Sequence, residues 1–178
     1  HYMKLYEDEW RIGFFNSNLP IVNAKNDFLI NQKIHWLENS KDYFLADPFV
    51  IKFQGEYKIF AEIYFWKNRK GNLCEISLIN NKIASINNLN FIPDYYHSSF
   101  PYCFLSKNNL FIIPEAKSTN ELNIFIYEKE GSFKKFYTFS FKNVFSDPVI
   151  TFHNNLWWLL MSKDDKLFIM YSKKLDGV

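Results

Sequence analysis

Glycine is scarce in this chain, at five residues in 178, and Gly13, Gly55, Gly71, Gly131 and Gly177 lie too far apart to form a loop that cradles phosphate. Nucleotide cofactors are therefore not expected. Cysteine is scarcer still: Cys74 and Cys103 each sit inside an apolar stretch, which reads as two small reduced core residues and excludes a disulfide framework. Charge of one sign never accumulates. Twenty-one Lys and Arg are interspersed with nineteen Asp and Glu, so neither a nucleic-acid surface nor an anionic-membrane surface is expected. No apolar run approaches the roughly 20 residues that cross a bilayer, and "LWWLLM" has the length of a buried strand. The opening "HYMKLYEDEW" is too polar for a signal peptide, and His1 and Tyr2 before Met3 resemble the end of an expression tag, so a cytoplasmic location is expected.

What the chain has in abundance is aromatic residues, 20% of the total within a 48% hydrophobic composition, enough for one globular domain over residues 1–178 with a sizeable core. Three segments superimpose without gaps: "DPFVIKFQGEYKIFAE" from Asp47, "FPYCFLSKNNLFIIPE" from Phe100 and "DPVITFHNNLWWLLMS" from Asp147. In each, a proline (Pro48, Pro101, Pro148) precedes a strand-forming run and a short polar turn, and a second strand ends at Glu62, Glu115 or Ser162. Third strands follow from Leu73, Leu122 and Leu167. The prolines are 53 and 47 positions apart, the period of a propeller blade. Each repeat, near residues 44–80, 97–141 and 144–175, reads as a small antiparallel sheet. Runs such as "YKIFAEIYF" are apolar almost throughout, as in strands covered on both faces by stacked sheets.

A proline within a ladder removes a donor, so each is expected at the first residue of an inner strand. Asp47 and Asp147 would then face a shared channel, with Glu62 and Glu115 returned to its rim by the hairpins. Trp66, in the polar turn "YFWKNRKGN", is a candidate for stacking on a sugar face. His1, His35, His97 and His153 show no metal-ligand spacing, so no transition-metal site is expected; a calcium ion held by Asp47 or Asp147 oxygens is the one metal alternative.

The segments "WRIGFF", "ADPFVIKFQGEYKIFAE", "HSSFPYCFLSKNNLFIIPEA" and "SDPVITFHNNLWWLLMS" resemble the five-bladed β-propellers of family 43 glycoside hydrolases. The nearer likeness is to a related propeller domain that accompanies glycosyltransferases and sugar formyltransferases. The resemblance implies an all-β, propeller-like, carbohydrate-active domain with about three and a half blades present, a piece of a longer protein or an incomplete ring. It makes Asp47 the position of the catalytic base and Glu115 the candidate general acid, with Asp147 acting on that acid; Glu62 would orient neighbours and His97 would bond a sugar hydroxyl. Phe100 stands where an acid is expected and Ser162 where a Glu is expected. That departure leaves two readings open, glycosidic-bond hydrolysis or a non-catalytic module that recognises a glycan or sugar nucleotide for an attached transferase. Open blade edges point to a homodimer.

Overall fold

A computed structural model of the chain describes residues 9–15, 33–93, 96–116, 120–129 and 131–177. His1, Tyr2 and Met3 lie outside them. The described chain is all-β, with no α-helix among its residues. Strands β1 (Gly13–Phe14) and β2 (His35–Trp36) form a two-stranded pair. A second sheet runs β3 (Tyr43–Phe53), β4 (Glu56–Phe65), β5 (Lys70–Ile79) and β6 (Lys82–Asn88). A third runs β7 (Ser99–Ser106), β8 (Asn109–Glu115), β9 (Glu121–Lys129) and β10 (Ser132–Ser140). The fourth has β11 (Ser146–His153), β12 (Leu156–Lys163) and β13 (Lys166–Ser172), followed by a 3₁₀ turn at Leu175–Gly177. Among the described residues, all pairings are antiparallel between chain neighbours, and no sheet closes on itself. The fourth strands β6 and β10 have no counterpart in the three-strand repeat read from sequence.

Two-residue turns connect most of these strands. Gln54-Gly55, Asn80-Asn81, Lys107-Asn108, Asn154-Asn155 and Asp164-Asp165 each hold φ positive at both positions, the type I′ geometry whose twist matches that of the flanking strands. Asn and Asp supply most of these positions because their short polar side chains tolerate the left-handed region. Tight turns hold each meander in register.

Three core layers separate the four sheets. Ile12 and Leu37 pack with Leu45, Ala61 and Ile63; Phe53, Phe60 and Leu73 pack with Leu110, Ile112 and Phe125; Phe111, Ile113 and Ile124 pack with Ile150, Leu159 and Met161. Strand β8 shows why its run is apolar throughout: Leu110 and Ile112 face the second sheet while Phe111 and Ile113 face the fourth. The first strands of successive sheets touch, β3 against β7 and β7 against β11.

The prolines do not open their strands. Pro48 is the sixth residue of β3, and Pro101 and Pro148 are the third residues of β7 and β11. In all three the register shifts at the same place, between Ala46 and Phe49, Ser99 and Tyr102, and Ser146 and Val149, so that residue and proline together oppose one partner residue. A bulge removes the proline from the ladder, which is how a strand interior accepts a residue with no N–H to donate.

Candidate functional site

The residue before each proline carries the bulge. Asp47 has φ 48°, Phe100 48° and Asp147 53°, all left-handed. Asp adopts this region with little difficulty, whereas for Phe100 it is a strained backbone. The Phe100 ring packs edge-on against that of Phe49, with centroids 5.0 Å apart.

Carboxylates bind these bulges across the sheet junctions. Asp47 Oδ2 accepts the Phe100 N–H at 3.3 Å, joining the second sheet to the third. Glu115 Oε2 accepts the Asp147 N–H at 3.0 Å, joining the third to the fourth. Ser162 Oγ lies 3.0 Å from Asp147 Oδ2 and 3.3 Å from the Ser146 carbonyl. The structure thus brings Asp47, Glu115 and Asp147 to one end of three successive hairpins. Asp47 and Asp147 are exposed, while Glu115 is only 3% exposed.

Glu62 and His97 form a second group at this end. Glu62 is buried, with Oε1 3.6 Å from His97 Nε2, and His97 Nδ1 accepts the Gly71 N–H at 3.0 Å. Accepting at Nδ1 requires that nitrogen to be unprotonated, which puts the imidazole proton on Nε2, toward the Glu62 carboxylate. The Ser98 N–H bonds the Gly71 carbonyl at 2.9 Å, so two bonds fasten the segment before β7 to β5. Gly71 is required by close approach: a Cβ there would collide with the Glu62 carboxylate and press on the His97 ring at 3.0 Å. Trp66 stands with this group through Tyr64, whose ring is 5.7 Å from Trp66 and 6.4 Å from His97. Phe44 supports the indole from 5.0 Å.

Sequence reasoning missed three participants. The peptide N–H groups of Phe100 and Asp147 leave no trace in residue identity. Gly71 fell within the segment read as the polar turn "YFWKNRKGN", where a glycine is expected anyway, so its close approach to Glu62 and His97 was not legible. Ser162, noted only as a departure from Glu, is the hydroxyl that reaches Asp147.

Burial, with the charge of Glu62 adding to it against a backbone hydrogen bond from Ala61, pushes the Cys74 thiol up to about 12, and burial pushes Cys103 up as well. Both are free, as two reduced core residues should be. Among the described residues, no group of three His, Cys, Asp or Glu is placed to hold a metal ion, and the calcium alternative finds no such cluster around Asp47 or Asp147. Nor is any helix among them long and apolar enough to cross a membrane.

No protein-family model matches the chain. A stretch of 128 residues is 34% identical to part of the DNA-directed RNA polymerase subunit beta C-terminal section of Pleurastrum terricola, a match that takes in 67% of this chain. The chain spans about 12% of that protein's length.

Proposed function

We propose that this chain is a carbohydrate-recognition domain of the propeller type, similar to the five-bladed domains related to family 43 glycoside hydrolases, and that the rim built by Asp47, Glu115 and Asp147 with Glu62, His97 and Trp66 takes the sugar. One observation carries the reading: the same bulge, at the same register, recurs in three stacked sheets and sets an acid or its backbone partner at the same end of each. Exposed carboxylates accept sugar hydroxyls, and an indole beside a tyrosine offers a flat apolar face to a pyranose ring. In a propeller, the touching first strands β3, β7 and β11 would line the central channel.

Recognition is favoured over hydrolysis because the candidate acid, Glu115, is buried and engaged with the Asp147 backbone, and because Phe100 occupies an acid's place in the second repeat. Hydrolysis, with Asp47 as base and Glu115 as acid, is the second reading, supported by the closeness of Glu115 to Asp147. As a recognition module the domain would serve a cytoplasmic sugar-modifying transferase, taking its glycan or sugar-nucleotide product, and would pair with a second copy through its uncovered last sheet. Nucleic acid and membrane are not its partners in this reading.

Saturation-transfer NMR against a panel of neutral oligosaccharides and sugar nucleotides tests it. Binding that disappears in Asp47→Asn and Trp66→Ala supports recognition; no binding to any member of the panel overturns it. Release of nitrophenol from aryl glycosides by the parent chain, abolished in Asp47→Asn, would establish the hydrolytic reading instead.

A further inference from the structure

At the opposite end of the hairpins from the rim, the third and fourth sheets diverge around a cleft of about 810 Å³. Phe100 and Lys107 are seven residues apart along β7, roughly 23 Å in an extended strand, so cleft and rim are separate places and share no residue. Phe111 and Phe136 stand on the third-sheet side, Phe152 and Trp157 on the fourth.

The cleft combines two features that folding alone does not require. Its aromatic walls are uncovered: Phe136 is 41% exposed and Phe152 54%. Phe136 is the extra residue of a bulge in β10, between Lys135 paired with Phe125 and Tyr137 paired with Ile124, and a bulge re-aims a side chain relative to its strand. Each exposed ring is braced from behind, Phe136 edge-on to Phe111 at 5.2 Å and Phe152 tilted against Trp157 at 5.1 Å. The cleft is also unbalanced in charge. Lys107, Lys173 and Lys174 line it against the single acid Asp176, and among the described residues none of these lysines is held in an ion pair. Lys107 is fixed in a type I′ turn. Lys173 and Lys174 precede the 3₁₀ turn, whose Leu175 packs on the core between the third and fourth sheets.

We infer that this cleft is a binding site for a small phosphate ester that carries a flat ring, the ring lying between Phe136 and Phe152 and the phosphate meeting Lys107, Lys173 and Lys174. Unpaired ammonium groups beside low-dielectric aromatic walls attract a compact anion, and the braced rings supply the apolar contact that an inorganic ion cannot use. The inference does not rest on sugar binding at the rim.

The test is titration of the full chain with uridine 5′-monophosphate, uridine and inorganic phosphate, followed by the fluorescence of the tryptophans, Trp157 among them, and by calorimetry. The monophosphate is expected to bind at least about tenfold more tightly than uridine or phosphate alone, to weaken with added salt, and to weaken by at least about tenfold in Lys173→Gln/Lys174→Gln and in Phe136→Ala. These are surface substitutions, and unchanged thermal unfolding of each variant shows that the fold is intact. The Asp47→Asn variant should bind the monophosphate as the parent does, which separates failure here from failure at the rim. Equal binding of phosphate and monophosphate, binding insensitive to Phe136→Ala, or no binding at millimolar concentration would overturn the assignment.

Discussion

The Glu115 carboxylate accepts the backbone N–H of Asp147 at 3.0 Å, across 32 residues of sequence and from one sheet to the next. The bond fixes a left-handed bulge residue from outside its own sheet. Because Glu115 is buried, replacing it by Ala removes the acceptor and leaves the Asp147 N–H to be satisfied elsewhere. Glu115→Ala is expected to lower unfolding free energy by about 2–3 kcal/mol, and Glu115→Gln, which keeps an oxygen in place, by about 1 kcal/mol. Urea unfolding of the two variants measures the difference; equal stabilities would mean that the bond does not join the sheets.

Backbone conformation at Asp147 gives a second expectation. With φ at 53°, Ala at this position bears the left-handed penalty of about 1–2 kcal/mol and also loses the Ser162 contact, while Asn is at home in that region and retains a side-chain oxygen. Asp147→Ala should therefore destabilise clearly more than Asp147→Asn. A reversed order in thermal unfolding would show that charge, not backbone conformation, selects this residue.

These bulges mark the limit of what was legible beforehand. The repeat, its three hairpins and their doubly covered strands follow from sequence because alternation, turn residues and spacing are local signals. Pro48, Pro101 and Pro148 disclosed that something interrupts each strand, but a proline at a strand start and one in a mid-strand bulge look alike until the partner register is known. The fourth strands β6 and β10 escaped notice because "KIASINN" and "SFKKFYTFS" are polar along half their length, as suits an outer strand. At the candidate site the acids were visible as residue types. Their partners were peptide N–H groups brought in from the next sheet, which no residue code carries.

The pair Lys58 and Glu75 links stability to alkaline pH. Lys58 Nζ is 3.0 Å from Glu75 Oε1 and 5.1 Å from the centre of the Tyr127 ring, so it ties the second sheet to the third. Burial alone would lower its pKa, but the hydrogen bond and charge of Glu75, with Tyr127, more than offset this and hold it above the ordinary 10.5. A raised folded-state value stabilises fully below 10.5 and ceases to do so as pH climbs through the folded value. Unfolding free energy should accordingly hold near pH 9 and decline above about 10.5, with part of that decline absent in Glu75→Gln. An identical alkaline slope in the variant would show that Lys58 is not its source.

The last expectation concerns the outer face of the fourth sheet. Cross-strand pairing of Trp158 with Tyr171, Leu160 with Ile169 and Ser162 with Leu167 places these residues on one face, opposite Leu159 and Met161, which fill the core. Leu167, Ile169 and Tyr171 are 64%, 54% and 65% exposed, an apolar stripe of the kind that the other sheets cover with a neighbour. Among the described residues, no strand pairs with the outer edge of β13, where the second and third sheets have a fourth strand. A second copy of the chain, laid on this face, would remove both exposures at once, provided that the contact buries at least about 1,000 Å² in total. Sedimentation equilibrium should then report a mass near twice 21.5 kDa at high concentration, and Leu167→Glu with Ile169→Lys should return it to the single-chain value while leaving the strand signal in circular dichroism unchanged. A parent chain that sediments as a monomer throughout would overturn pairing through this stripe.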